Sequence, residues 1–318
     1  MKEDAFIWAY LIHLGMNNWK DIPLNRCPPE ESEHFKTRCM ADYLRTEESE
    51  WRFVTDRLGK IGANMIIIDL GEGMAFPSHP ELAVRGTWSV EKMRAELKRL
   101  RGMGLEPIPK LNFSTCHDSW LKDYQRMVST PEYYRVCADV IRDAVEIFDH
   151  PRFFHLGYDE ETAGHQSTYE LTIVRQGELW WHDLLWFVDQ VSKLQVRPWI
   201  WSDFCWRHKE AFVKRMPRSV LQSNWYYGKE FDLAKIPADQ PYVQTYVDLE
   251  KAGFDQIPTG SNWSCDTNFD DTIRFCREHC SPERLKGFLF ASWQRTISPH
   301  HDKAAAALDQ LEAAIKRG

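Results

Sequence analysis

Near the middle of the chain three carboxylates stand in a row, Asp159, Glu160 and Glu161, directly behind the stretch Phe153-Phe154-His155-Leu156-Gly157-Tyr158. Read as a strand, that stretch turns Phe154, Leu156 and Tyr158 to one face and His155, Gly157 and Asp159 to the other, because side chains alternate with a period of two. Acids at the end of a buried strand are costly unless something uses them. Close like charges and desolvation each raise a carboxyl pKa, and such a group is a candidate general acid near neutral pH. The plain alternative is a solvated loop that happens to be acidic, and the triplet alone does not separate the two.

Holding those acids in place requires a framework, and the sequence lays out a regular one. Apolar strand-like runs fall at 5–14, 64–70, 105–111, 153–158, 197–203, 220–226 and 287–293, with a weaker one at 254–263 interrupted by Pro258. Helical segments lie between them. Thr46 stands where it could cap a helix carrying Trp51, Val54, Leu58 and Ile61, Ser89 opens a second, and Thr130-Pro131-Glu132 opens a third. Further helices are expected at 177–195, 206–216 and about 270–280, and an Ala-rich one closes the chain. Eight strands alternating with helices predict an α/β fold, a single (β/α)8 TIM barrel over residues 1–318. An open doubly wound sheet would want a Gly-rich phosphate turn after an early strand, and none is present. In such a barrel the site lies at the C-terminal strand ends, where the chain places Asn17, Asp69, Asn112, Asp159, Glu160, Asp203, Trp225, Trp263 and Trp293.

Composition narrows the partners. The 318 residues are 43% hydrophobic and 27% charged, with a formal net charge of -7. No Lys/Arg stripe stands out, which argues against nucleic acid, and no apolar run approaches the roughly 20 residues of a membrane span. Met1-Lys2-Glu3-Asp4-Ala5 carries no leader pattern, so the expected compartment is the cytoplasm, or a secreted or periplasmic one if a leader has been removed. The eight scattered cysteines are expected to be free and mostly buried. Cys276, His279 and Cys280 lack a companion CxxC pair, so neither a metal nor a cofactor is expected.

A mouth of carboxylates, amides and indoles suits carbohydrate, because the flat C–H faces of pyranose rings stack on tryptophan while hydroxyls pair with Asp, Asn and His. Any one tryptophan is more often core than sugar platform; several at successive strand ends, among them Trp201, Trp225, Trp263 and Trp293, favour the platform. His155-Leu156-Gly157-Tyr158-Asp159-Glu160 resembles the H-x-G-x-D-E motif of the family 20 glycoside hydrolases, the retaining β-N-acetylhexosaminidases. Asp69, Phe76-Pro77, Pro80-Glu81, Arg85-Gly86-Thr87-Trp88 and Ile108-Pro109 are similar to the second strand, loop, helix and third strand of that family. The likeness is good over about residues 60 to 165, and looser beyond, through Trp201-Ser202-Asp203 and Trp293.

The resemblance implies substrate-assisted catalysis, in which the substrate's own 2-acetamido oxygen attacks the anomeric carbon and no protein nucleophile is needed. It assigns Asp159 to the acetamido N–H and Glu160 to the leaving oxygen and then to water. It also suggests that His117 braces the pair, although a lone histidine in a polar loop can equally be a surface residue. Burial and Asp159 beside it are expected to raise the Glu160 pKa. Two positions depart from the family. Its usual first-strand Arg is replaced by the loop Gly15-Met16-Asn17-Asn18-Trp19, and its last-strand Trp-x-Glu reads Trp293-Gln294-Arg295. Both affect the pocket that reads the sugar, and Arg295 would suit an acidic group. Two rivals remain open: a retaining glycosidase with Asp203 as nucleophile and Glu160 as acid/base, and a catalytically silent carbohydrate-binding barrel.

Overall fold

Eight parallel strands ring one axis in the computed structural model, which describes residues 5–15 and 19–318. They are β1 (Ile7–His13), β2 (Met65–Asp69), β3 (Glu106–Lys110), β4 (Phe153–His155), β5 (Arg197–Trp201), β6 (Leu221–Ser223), β7 (Thr259–Gly260) and β8 (Gly287–Ala291). Consecutive strands pair from β1 to β6, β7 pairs with β8, and β8 pairs with β1. Isolated bridges Gln222 to Gln256 and Trp225 to Thr259 join β6 to the β7 segment and close the circle. Eight helices follow the strands in turn: α1 (Glu48–Ile61), α2 (Val90–Gly102), α3 (Pro131–Ile147), α4 (Glu178–Lys193), α5 (Cys205–Arg215), α6 (Gln240–Ala252), α7 (Asn268–His279) and α8 (His301–Arg317). This is a (β/α)8 barrel.

The period of two sorts the apolar residues into two shells. Ala9, Leu11, Ile67, Ile108, Trp199 and Leu289 fill the barrel axis, while Tyr10, Ile66, Ile68, Phe154 and Phe290 on the alternate positions meet the helices. Both faces of every strand are thus covered, which is why the strands read as near-continuous apolar runs.

Local signals were met unevenly. Ser89 and Thr130 cap α2 and α3, their hydroxyls accepting from Lys92 N and Tyr133 N at 3.2 and 3.3 Å. Thr46 does not cap α1: its hydroxyl donates to the Leu14 carbonyl at 2.6 Å, tying the loop to the end of β1, and Glu47 takes the cap position. The strands stop earlier than their apolar runs, so Asp203, Trp225 and Trp293 stand on loops above the rim. The seventh strand shrinks to two residues because Pro258 has no N–H for the ladder. Helix α6 and a short parallel ribbon of Lys20–Pro23 with Cys39–Met40 went unanticipated. All eight cysteines are free, and no described helix is long and apolar enough to cross a membrane.

At the seam between the first and last strands the backbones leave no room for a side chain. A Cβ on Gly287 would lie 2.2 Å from the Ile7 carbonyl oxygen. Gly287→Ala is therefore expected to lower the unfolding free energy by about 1–3 kcal/mol, measured by urea titration; an unchanged midpoint would show that the seam can part without cost.

Candidate active site

The chain turns sharply above β4. Gly157, Tyr158 and Glu160 have φ of 66, 75 and 57°, in the left-handed region that side chains other than glycine rarely adopt. Asn112, just past β3, holds this turn. Its carbonyl oxygen accepts from the N–H groups of Tyr158 and Ser114, each at 3.0 Å, and its amide donates to Asp159 Oδ1 at 2.8 Å. A Cβ on residue 157 would come within 2.3 Å of that carboxamide, so the position requires glycine. Asp203 secures the other end, its Oδ2 accepting from Glu160 N at 2.9 Å. The third acid turns away: Glu161 is buried against Arg175, Oε1 at 2.9 Å from Nε and Oε2 at 2.5 Å from Nη2. It lies at the cavity wall, but both of its oxygens are committed to Arg175, so it anchors the loop.

Histidines face the remaining carboxylates. His117 Nε2 lies 3.3 Å from Glu160 Oε2 and 3.6 Å from Asp159 Oδ2, and His165 Nε2 lies 3.4 Å from Glu160 Oε1. Burial, aided by the charge of Glu160, pushes the Asp159 carboxyl up against the opposing His117 and Lys110. Burial and the charge of Asp159 push Asp203 up further. Glu160 goes the other way. Burial would raise it, but bonds from His117 and His165 together outweigh burial and hold the carboxyl well below its usual range. This corrects the expectation of a raised Glu160 pKa, which took account of the neighbouring acid and not of two imidazoles. His165 in turn is raised above 6.5, chiefly by its bond to Glu160. His117, Asp159 and Glu160 also offer ligand atoms within 4.8 Å of one another, close enough to hold a cation. By contrast, the His279 ring lies along its own helix, with Nδ1 2.8 Å from the Phe275 carbonyl.

These groups sit at one side of a cavity of about 1390 Å³. Its aromatic wall is built from Trp225 and Tyr227, stacked at 5.0 Å, and from Trp293, whose Nε1 donates to Tyr227 OH at 2.8 Å. Trp19 closes the ring of aromatics, 4.5 Å from His117 and 6.3 Å from Trp293.

Of the residues singled out from sequence, Asp159, Glu160, His117, Asp203, Trp225, Trp263, Trp293 and Arg295 all line this cavity, Trp263 at its rim with 41% exposure. Asp69, Asn112 and Trp201, expected to bind substrate, are not among its lining residues. Asp69 is buried at the barrel axis, 2.8 Å from Lys110 Nζ and 3.2 Å from His13 Nδ1, and those partners outweigh burial to keep its carboxyl low. Trp201 lies beneath the floor, packed on His155 at 4.4 Å and Trp293 at 5.7 Å. Asn112 touches Asp159 and acts through it. Asn17 lies outside the described residues. Sequence reasoning missed His165, Trp19 and Tyr227. Tyr227 was within reach, since it follows Trp225 by two and alternation puts both on one face.

No family sequence model matches the chain, and no curated protein matches it by sequence. Solved structures match it by fold. A family 20 exo-β-N-acetylglucosaminidase from Vibrio harveyi, in complex with N-acetylglucosamine, superposes with a TM-score of 0.61 at 12% identity, over 95% of this chain and 54% of that one. An N-acetyl-β-hexosaminidase from Streptomyces plicatus gives 0.64 at 12%, over 96% and 64%. A chitobiase from Flavobacterium johnsoniae gives 0.59 at 17%, over 84% and 46%. The fold is that of their barrels. The chain spans about half to two thirds of the length of these proteins.

The buried, proton-favouring state of Asp203 has a measurable consequence. Its folded-state pKa lies above the unfolded value near 3.8, so the stability it contributes is present below that value and is lost as pH rises through the folded one. Asparagine keeps the acceptor for Glu160 N and cannot ionise. Relative to the parent, Asp203→Asn is expected to melt higher at pH 8 than at pH 4, by about 2 °C or more, in calorimetric scans; a pH-independent difference would show that the carboxylate is stabilised where it sits.

Proposed function

We propose that the chain hydrolyses β-linked N-acetylhexosaminides with retention, using the substrate's acetamido group as nucleophile. The observation that carries this reading is Asp159, pinned upright by Asn112 beside Glu160, with both at the foot of an aromatic-walled cavity. The shared barrel of the solved hexosaminidases and the H-x-G-x-D-E stretch support it.

In this reading the sugar lies against Trp225, Tyr227 and Trp293. Asp159 accepts the acetamido N–H and directs the carbonyl oxygen at the anomeric carbon. Glu160 protonates the departing glycosidic oxygen as the C–O bond breaks and the oxazolinium ring closes. Glu160, now a carboxylate, then takes a proton from water as it opens that ring, restoring the acid and releasing the sugar with its original configuration. In this scheme Glu160, its carboxyl held low by the two imidazoles, starts ionised and His165 holds the adjacent proton. A sugar seated over a carboxylate that is 28% exposed removes its remaining water and raises its pKa, which favours moving that proton to the carboxyl oxygen. His117 is a positioning residue, and His165 holds the proton that Glu160 takes up.

The alternative nucleophile, Asp203, is less well suited. One of its oxygens is bonded to Glu160 N, and burial favours its protonated, non-nucleophilic form.

With 4-nitrophenyl N-acetyl-β-glucosaminide as substrate, Glu160→Gln is expected to lower kcat/KM by about 10²-fold or more. Asp159→Asn should cost about 10²–10³-fold. Nitrophenol release that survives in both variants, or is absent from the parent, rejects the scheme. His165→Gln should move the basic limb of the kcat/KM profile to lower pH. In the parent the proton shared with Glu160 leaves at an imidazole value above 6.5, whereas without the ring it leaves as a carboxyl proton. A limb that stays in place would remove His165 from the proton's path.

A further inference from the structure

The cavity is charged differently on its two sides. β4 and β8 are diametrically opposite in the ring of eight strands. The tip of β4 carries Asp159 and Glu160, while the segment leaving β8 contributes Arg295, His300 and Lys303 to the facing wall.

That segment is firmly built. Thr296 Oγ1 donates to the His13 carbonyl at 2.5 Å, and the Thr296 carbonyl accepts from Glu47 N at 2.9 Å. Glu47 also receives Ser298 N and its hydroxyl at 3.1 and 3.2 Å, and Asn262 Nδ2 donates to the Lys303 carbonyl at 3.0 Å. The nearby acids Glu47 and Glu50 are thus engaged by Ser298 and by His301, the latter at 2.8 Å. Neither of them lines the cavity.

Hydrogen-bond valence then says what the wall presents. Arg295 N donates to His300 Nδ1 at 3.0 Å, so Nδ1 carries the lone pair and Nε2 must carry the proton. Arg295 Nη2 lies 3.4 Å from that same Nε2. A guanidinium also offers only N–H donors, so both side chains bring hydrogen-bond donors to this part of the wall. An oxyanion can accept from both at once, and the exposed ammonium of Lys303 adds a second positive charge beside them.

We propose that Arg295, His300 and Lys303 form a subsite for an oxyanion carried by the substrate, a sulfate, phosphate or carboxylate. This rests on the hexosaminide reading. In a pyranose the ring atom farthest from the anomeric carbon is C4, with C6 beside it. A sugar whose anomeric carbon lies at the β4 tip therefore turns its C4–C6 edge toward β8, and the anion belongs on that edge.

The test is a calorimetric titration of the parent chain at constant ionic strength with N-acetylglucosamine, its 6-sulfate, its 6-phosphate and the corresponding 6-carboxylate. At least one acidic sugar is expected to bind about tenfold or more tightly than the neutral one, and the order among the three identifies the oxyanion. In Arg295→Gln, and in Lys303→Met at an exposed position where folding is not at risk, that preference should fall toward one, with melting temperatures recorded for both variants. Equal binding of all four sugars, or a preference that survives both substitutions, overturns the subsite and leaves the hexosaminide reading intact. Failure of every sugar to bind overturns both.

Discussion

The contact between Asn112 and Gly157 is what the mouth of this barrel depends on. One carboxamide lies where a side chain at 157 would have been, and through three hydrogen bonds it sets the left-handed turn, the Ser114 loop and the orientation of Asp159. Backbone in that region costs of order 1–3 kcal/mol per non-glycine residue and persists only when its surroundings over-determine it. Here they do. The Asn112 bonds act from the β3 side and the Asp203 carboxyl from the β5 side, so Tyr158 and Glu160 are held by the two strands that flank β4. A rigid support of this kind lets two adjacent residues on one strand end point into the same cavity, against the alternation that would otherwise send them to opposite faces.

The choice of partners separates scaffold acids from working ones. Asp69 is paired with Lys110, and Glu161 with Arg175. Both pairs are buried and serve as struts, and Asp69 also meets the His13 imidazole at 3.2 Å below the mouth. At the mouth, Asp159 faces His117 and Glu160 faces His117 and His165, while Asp203 accepts from a backbone N–H. Imidazole is the side chain whose ordinary pKa lies near neutrality. A carboxylate paired with it keeps a proton within one hydrogen bond, where a lysine or arginine would have fixed the negative charge. The difference runs through a single triplet: residues 159 and 160 face imidazoles, and residue 161 faces an arginine.

The (β/α)8 architecture was legible because it rests on a period. Alternating apolar residues, helix caps at Ser89 and Thr130 and proline at the start of α3 are local signals, and each was realised where it stood. What was not legible depended on contacts distant in sequence. Thr46 has the chemistry of a cap, but the Leu14 carbonyl, 32 residues away, took its hydroxyl. Asp69 and Trp201 lie at strand ends, where polar and aromatic residues are expected to line the mouth, yet both sit one layer below it. The barrel axis needs filling, and Lys110 and His155 were the partners that filled it with them. The sign of the Glu160 shift failed for a similar reason, since His165 is close to it only through the fold of a loop that has no periodic pattern.

The same distinction accounts for a fold shared at 12–17% identity. A barrel asks of most positions only that they be apolar and of suitable volume on the correct face, a demand that many sequences satisfy and that leaves little trace in identity. The mouth asks for particular atoms, and there the chain either keeps a residue or changes what the site can hold. Around β4 the carboxyl groups of Asp159 and Glu160 are braced by Asn112, Asp203 and two histidines. Around β8 the wall is cationic: Arg295 and Lys303 stand on a segment tied to β1 and α1 by hydrogen bonds that have no part in the acid pair. The two halves of the cavity can therefore vary separately, because the bonds that fix one do not pass through the other. A change of side chain at the β8 wall does not require any rearrangement at the β4 tip.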